Sequence, residues 1–166
     1  MTRRINPEHI RIILELANAS PFIQFIGMKI TEIGEGTSRM EVPVRRNLTN
    51  SMGSIHGGAY ATMLDALTYW AVYCGVEEGD GLITVDLNVH DLSTVRDAHD
   101  ACVYGFGRAI RTGRTLCISE GRIEDEHGRI LAFGTSTIMV LQGRGTVAGS
   151  LERLGITDLP KKFLEG

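Results

Sequence analysis

The stretch Ala59–Cys74 constrains this chain more than any other segment. It runs without a proline or glycine and is long enough for more than four helical turns. Its apolar residues (Ala59, Tyr60, Ala61, Met63, Leu64, Ala66, Leu67, Tyr69, Trp70, Ala71, Val72 and Tyr73) cover every side of such a helix. A helix that is apolar all round is expected to be buried all round, and Gly75 ends it. It therefore needs a wrapper. Four strand-like runs follow a loop at Glu77–Gly81: Leu82–Leu92, Ala101–Ile110, Thr115–Glu124 and Ile130–Leu141. In the first, Ile83, Val85, Leu87 and Val89 occupy one phase and Thr84, Asp86, Asn88 and His90 the other. Short turns at Arg111-Thr112-Gly113 and Glu126-His127-Gly128 make consecutive strands antiparallel. The absence of strand–helix alternation argues for an α+β fold, five or six antiparallel strands curled around one long helix, and against a doubly wound α/β sheet.

Upstream, Asn6-Pro7-Glu8 opens a helix over residues 7–18, with Ile10, Ile13, Leu14 and Ala17 as its apolar stripe. Phe22, Ile23, Phe25, Ile26 and Met28 read as a second short helical turn packing on the domain. Strand-like segments from Lys29 to Val44 break at a Gly34-Glu35-Gly36 hairpin, and Arg45–Ile55 is polar and turn-rich. The tail from Gly143 onward is weakly patterned.

The 166 residues make one domain, able to bury about 69% of the surface of the unfolded chain without metal or disulfide support. With 17 basic against 20 acidic residues, no basic surplus exists to cover a phosphate backbone, and nucleic acid is a poor partner. Arginine carries nearly all the positive charge, only Lys29, Lys161 and Lys162 being lysine. Its planar fork suits carboxylates and phosphates, although genome composition produces the same bias. Cys74, Cys102 and Cys117 are odd in number and lack C-x-x-C spacing, so neither zinc nor a disulfide framework is expected and a reducing cytoplasm fits. No signal peptide follows the basic start, and no apolar run is long enough to span a membrane.

Asp65 lies in the middle of the apolar helix with Thr62 and Thr68 three residues away on its own face. A buried carboxylate is costly unless it is paired or has a task. It is either satisfied by the two threonines, or placed at an oligomer interface, or a base whose pKa is lifted by desolvation. His56-Gly57-Gly58 stands where the helix begins; backbone N–H groups there can approach a ligand closely, and the helix dipole favours negative charge. That is either an oxyanion site or a plain glycine-rich cap. No G-x-S-x-G elbow, Walker A loop or G-x-G-x-x-G fingerprint occurs.

Taken together, Asn50-Ser51-Met52-Gly53-Ser54-Ile55-His56-Gly57-Gly58 and Asp65 nine residues after the histidine resemble the hotdog-fold thioesterases, in particular the PaaI-type, phenylacetyl-CoA-thioesterase-like branch. Ile83-Thr84-Val85-Asp86-Leu87-Asn88-Val89 and Thr112-Gly113-Arg114-Thr115-Leu116 are similar to that family's strand signatures, and the match covers roughly Phe22 to Leu141. The resemblance implies a single hotdog domain over residues 1–166 (core about 22–142, N-terminal helix 7–18, C-terminal extension 143–166) that hydrolyses an acyl-CoA thioester. In that reading Asn50 and the Gly57 N–H polarise the thioester carbonyl, and His56 lies near the sulfur. Asp65 activates water or attacks directly, and Thr84 orients the water. Around the later hairpin, Arg108, Arg111, Gly113 and Arg114 are the local candidates to meet CoA. No metal or other cofactor is implied, CoA being part of the substrate. Ser93-Thr94-Val95-Arg96 replaces the family's usual Arg-Pro pair.

Two rivals remain: a non-catalytic acyl-CoA-binding or regulatory hotdog domain, and a dehydratase-type hotdog, which would use a His/Glu pair where this chain has Asp65. Helix geometry adds one expectation. Nine residues separate His56 from Asp65, about 13.5 Å along the axis and roughly 900° around it, which leaves them on opposite sides. Two antiparallel copies of the helix bring His56 of one beside Asp65 of the other, and hotdog relatives are dimers or dimers of dimers. An obligate homodimer, assembling further into a homotetramer, is therefore expected.

Overall fold

The computed structural model describes residues 3–95, 101–145, 147, 151 and 155–164. Arg96 and parts of the 143–166 extension lie outside these described residues. The long helix, α3, spans Gly57–Tyr73. His56 caps it, its Nδ1 accepting from the Gly58 N–H at 2.9 Å. At the other end no basic residue sits in the last turn. Instead the buried Lys162 reaches in from the C-terminal segment and donates to the carbonyls of Tyr73 and Val76 at 2.5 and 2.7 Å. A cation there satisfies orphan carbonyls and complements the helix dipole.

Strands β2 (Lys29–Gly34), β3 (Thr37–Pro43), β4 (Gly81–Asp91), β5 (Cys102–Thr112), β6 (Leu116–Glu124) and β7 (Ile130–Leu141) form one antiparallel sheet in the order β2-β3-β5-β6-β7-β4. It curls around α3, whose Met63, Leu64, Leu67, Ala71 and Val72 are fully buried in the core. Gly107 on β5 lets the helix come close, since a Cβ there would stand 2.6 Å from the Leu67 carbonyl oxygen. Buried hydroxyls finish the contact: Ser38 donates to Leu67 O at 2.7 Å and Ser119 to Thr68 O at 3.0 Å. A two-stranded sheet joins β1 (Arg4–Ile5) to β8 (Phe163–Leu164).

The N-terminal helix α1 spans Pro7–Asn18, and the Asn6 side chain accepts from the Glu8 N–H as expected. Its buried residues are His9, Ile12, Ile13 and Ala17: Ile13 and Ala17 of the anticipated stripe face inward, while His9 and Ile12 are buried where Ile10 and Leu14 are only half-buried, so the inward face is slightly rotated. The cause is His9, polar in sequence yet only 2% exposed, because both ring nitrogens find partners. Helix α2 (Pro21–Ile26) forms, but it buries only Ile26, and Phe25 is left 69% exposed.

Two further expectations need correction. Helix α3 is not buried all round: Ala61, Thr62, Asp65, Ala66, Tyr69 and Trp70 form a half-open side. All six strands of the sheet reach α3 in one chain, yet β4 is an edge strand and its far side has no neighbour among the described residues. Nor does β4 alternate in a single phase. A register shift between Thr84 and Asp86 leaves Ile83 and Val85 47% and 53% exposed, while Leu87 and Val89 pack on the core.

Candidate active site

The loop before α3 is tied down residue by residue. A 3-10 turn at Arg46–Leu48 leads into a bridge between Thr49 and Ile55. Within it the Asn50 N–H donates to Ser54 O at 2.8 Å, and Gly53, at φ 78°, closes the turn onto Asn50 O. The Asn50 Oδ1 accepts from the N–H groups of Met52 and Ser54 at 2.9 and 3.2 Å. Two backbone donors on one side-chain oxygen fix which end of the amide is which, and leave the Nδ2 hydrogens to donate elsewhere. His56 N–H donates to Leu48 O, which sets Asn50 and the start of α3 side by side.

At that start, Ala59 and Tyr60 N–H groups turn back to His56 O and Gly58 N–H to the His56 ring, whereas the Gly57 N–H has no partner among the described residues. Gly57 also has a neighbour that periodicity does not reveal. A Cβ there would lie 2.5 Å from Asp91 Oδ2, so the carboxylate at the end of β4 rests against the first turn of α3. Nothing in the local pattern around Asp91 signals this, because the approach arises from the reach of β4 across the sheet. Tyr60 is 2% exposed and its hydroxyl is unpartnered among the described residues. Burial is the main force pushing that phenol up to about 12, with Asp91 adding to the rise.

Asp65 stands two turns further along, half-buried on the open side of α3. Its flanking threonines do not hold its carboxylate. Thr62 donates to Gly58 O at 3.0 Å, and Thr68 donates to the backbone carbonyls of Leu64 and Asp65. The carboxylate lies near Tyr69, whose phenol is pushed up first by burial and then by the Asp65 charge. Thr84 is half-buried on β4, just before the bulge.

The residues expected to meet CoA separate. Gly113 and Arg114 line a cavity of 520 Å³ with Gly75, Thr112 and Gln142, beside the C-terminal end of α3. The Gly113 N–H donates to Leu116 O, and Gln142 Nε2 to Arg114 O. Arg111 is exposed and its Nε borders Gly113. Arg108 points the other way, ion-paired with Glu120 at 2.7 Å on the outer face of the sheet. Asn50, His56 and Gly57 thus gather at one end of α3, Asp65 lies partway along it, and the Gly113 hairpin sits at the other end. Among the described residues, no group of three or more His, Cys, Asp or Glu side chains is arranged to hold a metal ion, and no helix is long and apolar enough to cross a membrane.

The model of the thioesterase superfamily matches residues 52–132, and that of a domain of unknown function matches residues 11–90. Human acyl-coenzyme A thioesterase 13 is 26% identical over 129 residues, which is 76% of this chain and 89% of that protein. The 1,4-dihydroxy-2-naphthoyl-CoA hydrolase of Escherichia coli is 25% identical over 134 residues, 79% of this chain and 96% of the relative. Among solved structures, a thioesterase family protein from Silicibacter pomeroyi superposes with a TM-score of 0.70 at 25% identity, covering 81% of this chain and 96% of its own. A six-stranded antiparallel sheet wrapped around one long helix, the glycine-rich start of that helix and these matches agree: the chain has the hotdog fold, is similar to the thioesterase superfamily over residues 52–132, and is a thioester hydrolase.

Proposed function

We propose that this protein hydrolyses an acyl-CoA thioester to free acid and CoA, in a site shared by two antiparallel copies of α3. The carrying observation is the separation of the site's parts within one chain. The Asn50–Gly57 loop and the Gly113–Arg114 cavity lie at opposite ends of a 17-residue helix, a distance of about 25 Å. A two-fold pair of antiparallel helices sets each end of one beside the opposite end of the other. The half-open side bearing Thr62, Asp65, Ala66 and Tyr69, next to the unpaired β4 edge with exposed Ile83 and Val85, is the surface that such a pair would cover.

In that arrangement the Gly57 N–H and Asn50 Nδ2 donate to the thioester carbonyl oxygen, where negative charge develops as the carbon becomes tetrahedral. Asp65 of the facing chain either takes a proton from the attacking water or attacks the carbonyl carbon itself. The Thr84 hydroxyl orients the water. The C–S bond breaks, and the CoA thiolate leaves past His56 and recovers the proton that came from the water. Where Asp65 itself attacks, the acyl–Asp65 anhydride so formed is then hydrolysed by the water, which releases the acid and restores the carboxylate. Arg111, Arg114 and the Gly113 backbone face the CoA phosphates, whereas Arg108, ion-paired on the outer face, is left out. The PaaI-type branch and a cytoplasmic setting, where the free Cys74, Cys102 and Cys117 stay reduced, fit this reading. The test is thiol release from a panel of aryl- and alkyl-CoA thioesters. Release of free CoA at a rate that depends on the acyl group supports the proposal; binding without release would instead mark a non-catalytic acyl-CoA-binding domain.

A further inference from the structure

The C-terminal segment encloses a cavity of 590 Å³ against the end of α3 remote from Asn50 and Gly57. Val147, Leu151, Ile156, Leu159 and Tyr73 of the last helical turn give it apolar walls. Lys162 and His9 also line it, and each is only 2% exposed. The exposed Glu77 and Glu78 and the half-buried Asp80 form its mouth. A concave, mainly apolar space of this size with a few convergent polar groups has the build of a small-molecule site.

The charge inside it is unanswered. Lysine is almost never fully buried unless it is paired, because an isolated charge is costly in a low dielectric. Yet the hydrogen-bond partners of Lys162 among the described residues are two carbonyls, those of Tyr73 and Val76. An ammonium has three N–H donors, so one is left over. His9 has no such surplus, since the Pro160 carbonyl and the Tyr73 hydroxyl take both of its ring nitrogens. Burial draws the Lys162 amine down to about 8, which still leaves the ammonium as the main form at neutral pH. Nor does the helix cancel it: a helix C-terminus carries about half a negative charge, against one full positive charge.

We infer that this cavity binds a free monocarboxylic acid with an apolar body, its carboxylate on the Lys162 ammonium and its body along Leu151, Ile156, Leu159 and the Tyr73 ring. Hydrolysis of an acyl-CoA thioester releases an acid of this class. Its identification as reaction product rests on the function proposed above, whereas the binding itself does not.

The mouth sets the limit on charge. Arg3 answers Glu77 at 2.6 Å, and Asp80 Oδ1 accepts from the Gly143 N–H at 2.8 Å. The exposed carboxylates act on a ligand through water and salt, the buried ammonium through a low dielectric, so one negative charge is drawn in. A CoA ester has no carboxylate to offer Lys162, and its phosphates would have to sit among Glu77, Glu78 and Asp80. The cavity therefore separates free acid from thioester. A cationic amphiphile would satisfy the mouth and leave the Lys162 charge unanswered. Glu77 and Asp80 also line the Gly113–Arg114 cavity, so an acid held here adjoins the place proposed for CoA.

Isothermal titration calorimetry of the full-length protein with octanoate, octanol and octylamine tests this. One octanoate per chain is expected to bind, at least about tenfold more tightly than octanol or octylamine. Lys162→Met keeps most of the side chain's length without its charge. It is expected to weaken octanoate at least about tenfold and to leave octanol unchanged. Should loss of the helix cap unfold that variant, Ile156→Glu sets a carboxylate on the cavity wall and is expected to abolish octanoate binding. Asn50→Ala, at the far end of α3, is expected to bind octanoate as the wild type does. Absence of octanoate binding, equal binding of the three probes, or tighter binding of octylamine overturns the inference. So does wild-type octanoate affinity in Lys162→Met or Ile156→Glu. Loss of octanoate binding in Asn50→Ala would put the acid in the thioester site and overturn it equally. Failure of this titration leaves thiol release untouched, and absence of thiol release leaves the acid site standing with an acid from another source, so the two readings fail separately.

Discussion

His9 and Tyr73 meet inside the protein: the His9 Nε2 lies 2.7 Å from the Tyr73 hydroxyl, across 64 residues of sequence. The other ring nitrogen, Nδ1, lies 2.7 Å from the carbonyl of Pro160. A neutral imidazole satisfies both, donating from Nδ1 to the carbonyl and accepting at Nε2 from the phenol. The pair fastens α1 and the C-terminal segment to the end of α3, where Lys162 caps the helix.

Burial, aided by the charge of Lys162, holds His9 below its ordinary pKa of 6.5, although the Pro160 carbonyl pulls the other way. Below pH 6.5 the unfolded chain therefore binds a proton that the folded chain resists, and stability falls as the pH falls through this window. Urea unfolding as a function of pH should show this loss in the wild type. His9→Gln, which cannot titrate, should be less stable at neutral pH and lose less stability between pH 7 and the folded pKa. Parallel wild-type and variant curves would remove His9 as the source.

Asp65→Asn keeps size and hydrogen bonding but removes the proton acceptor. A fall in kcat of at least about 10²-fold is expected, the scale of a lost general base. Its thermal midpoint should change little, since neither Thr62 nor Thr68 holds the carboxylate. Near-normal turnover by the purified variant would end the assignment.

Thr84→Val preserves strand propensity and deletes one hydroxyl. A loss of roughly tenfold in kcat is expected, equivalent to about 1–1.5 kcal/mol for one hydrogen bond, while Thr84→Ser stays active. Equal inactivity of the two variants would mean that the hydroxyl is not what matters.

Gly107→Ala addresses the packing that seats the helix. The added methyl would press on the Leu67 carbonyl at 2.6 Å and on the hydroxyl that Ser38 donates to it. Backbone cannot swing aside as a side-chain tip can, so a loss of about 1–3 kcal/mol in urea unfolding is expected. Wild-type stability would show that the helix has slack there.

Much of this architecture is legible in the sequence, because periodicity and punctuation are local signals. The strand at Ile130–Leu141, the cap at Asn6 and the hairpin glycines act over a few residues, and the structure has them where they are expected. What escapes is set by distant partners. His9 lies off the apolar stripe of α1, and it is buried by Tyr73 and Pro160, which arrive from elsewhere in the chain. Lys162 reads as tail until it reaches the end of α3. Asp91 beside Gly57 depends on how far β4 runs, and the split phase of Ile83 and Leu87 depends on a bulge that alternation alone does not announce. The half-open side of α3 has the same origin: Asp65 is polar where the helix is not enclosed by its own sheet.

The sharing of the site between two copies of α3 is the central claim, and subunit exchange tests it most directly. Asp65→Asn and Asn50→Ala are each purified as inactive protein, mixed, and allowed to exchange chains, with mixed particles verified by mass. A shared site draws Asn50 from one chain and Asp65 from the other, so each mixed pair regains one intact site of two. Random exchange should restore about a quarter of wild-type thioesterase activity. Verified exchange with activity still at zero would mean that each site is built within a single chain, and would contradict this account.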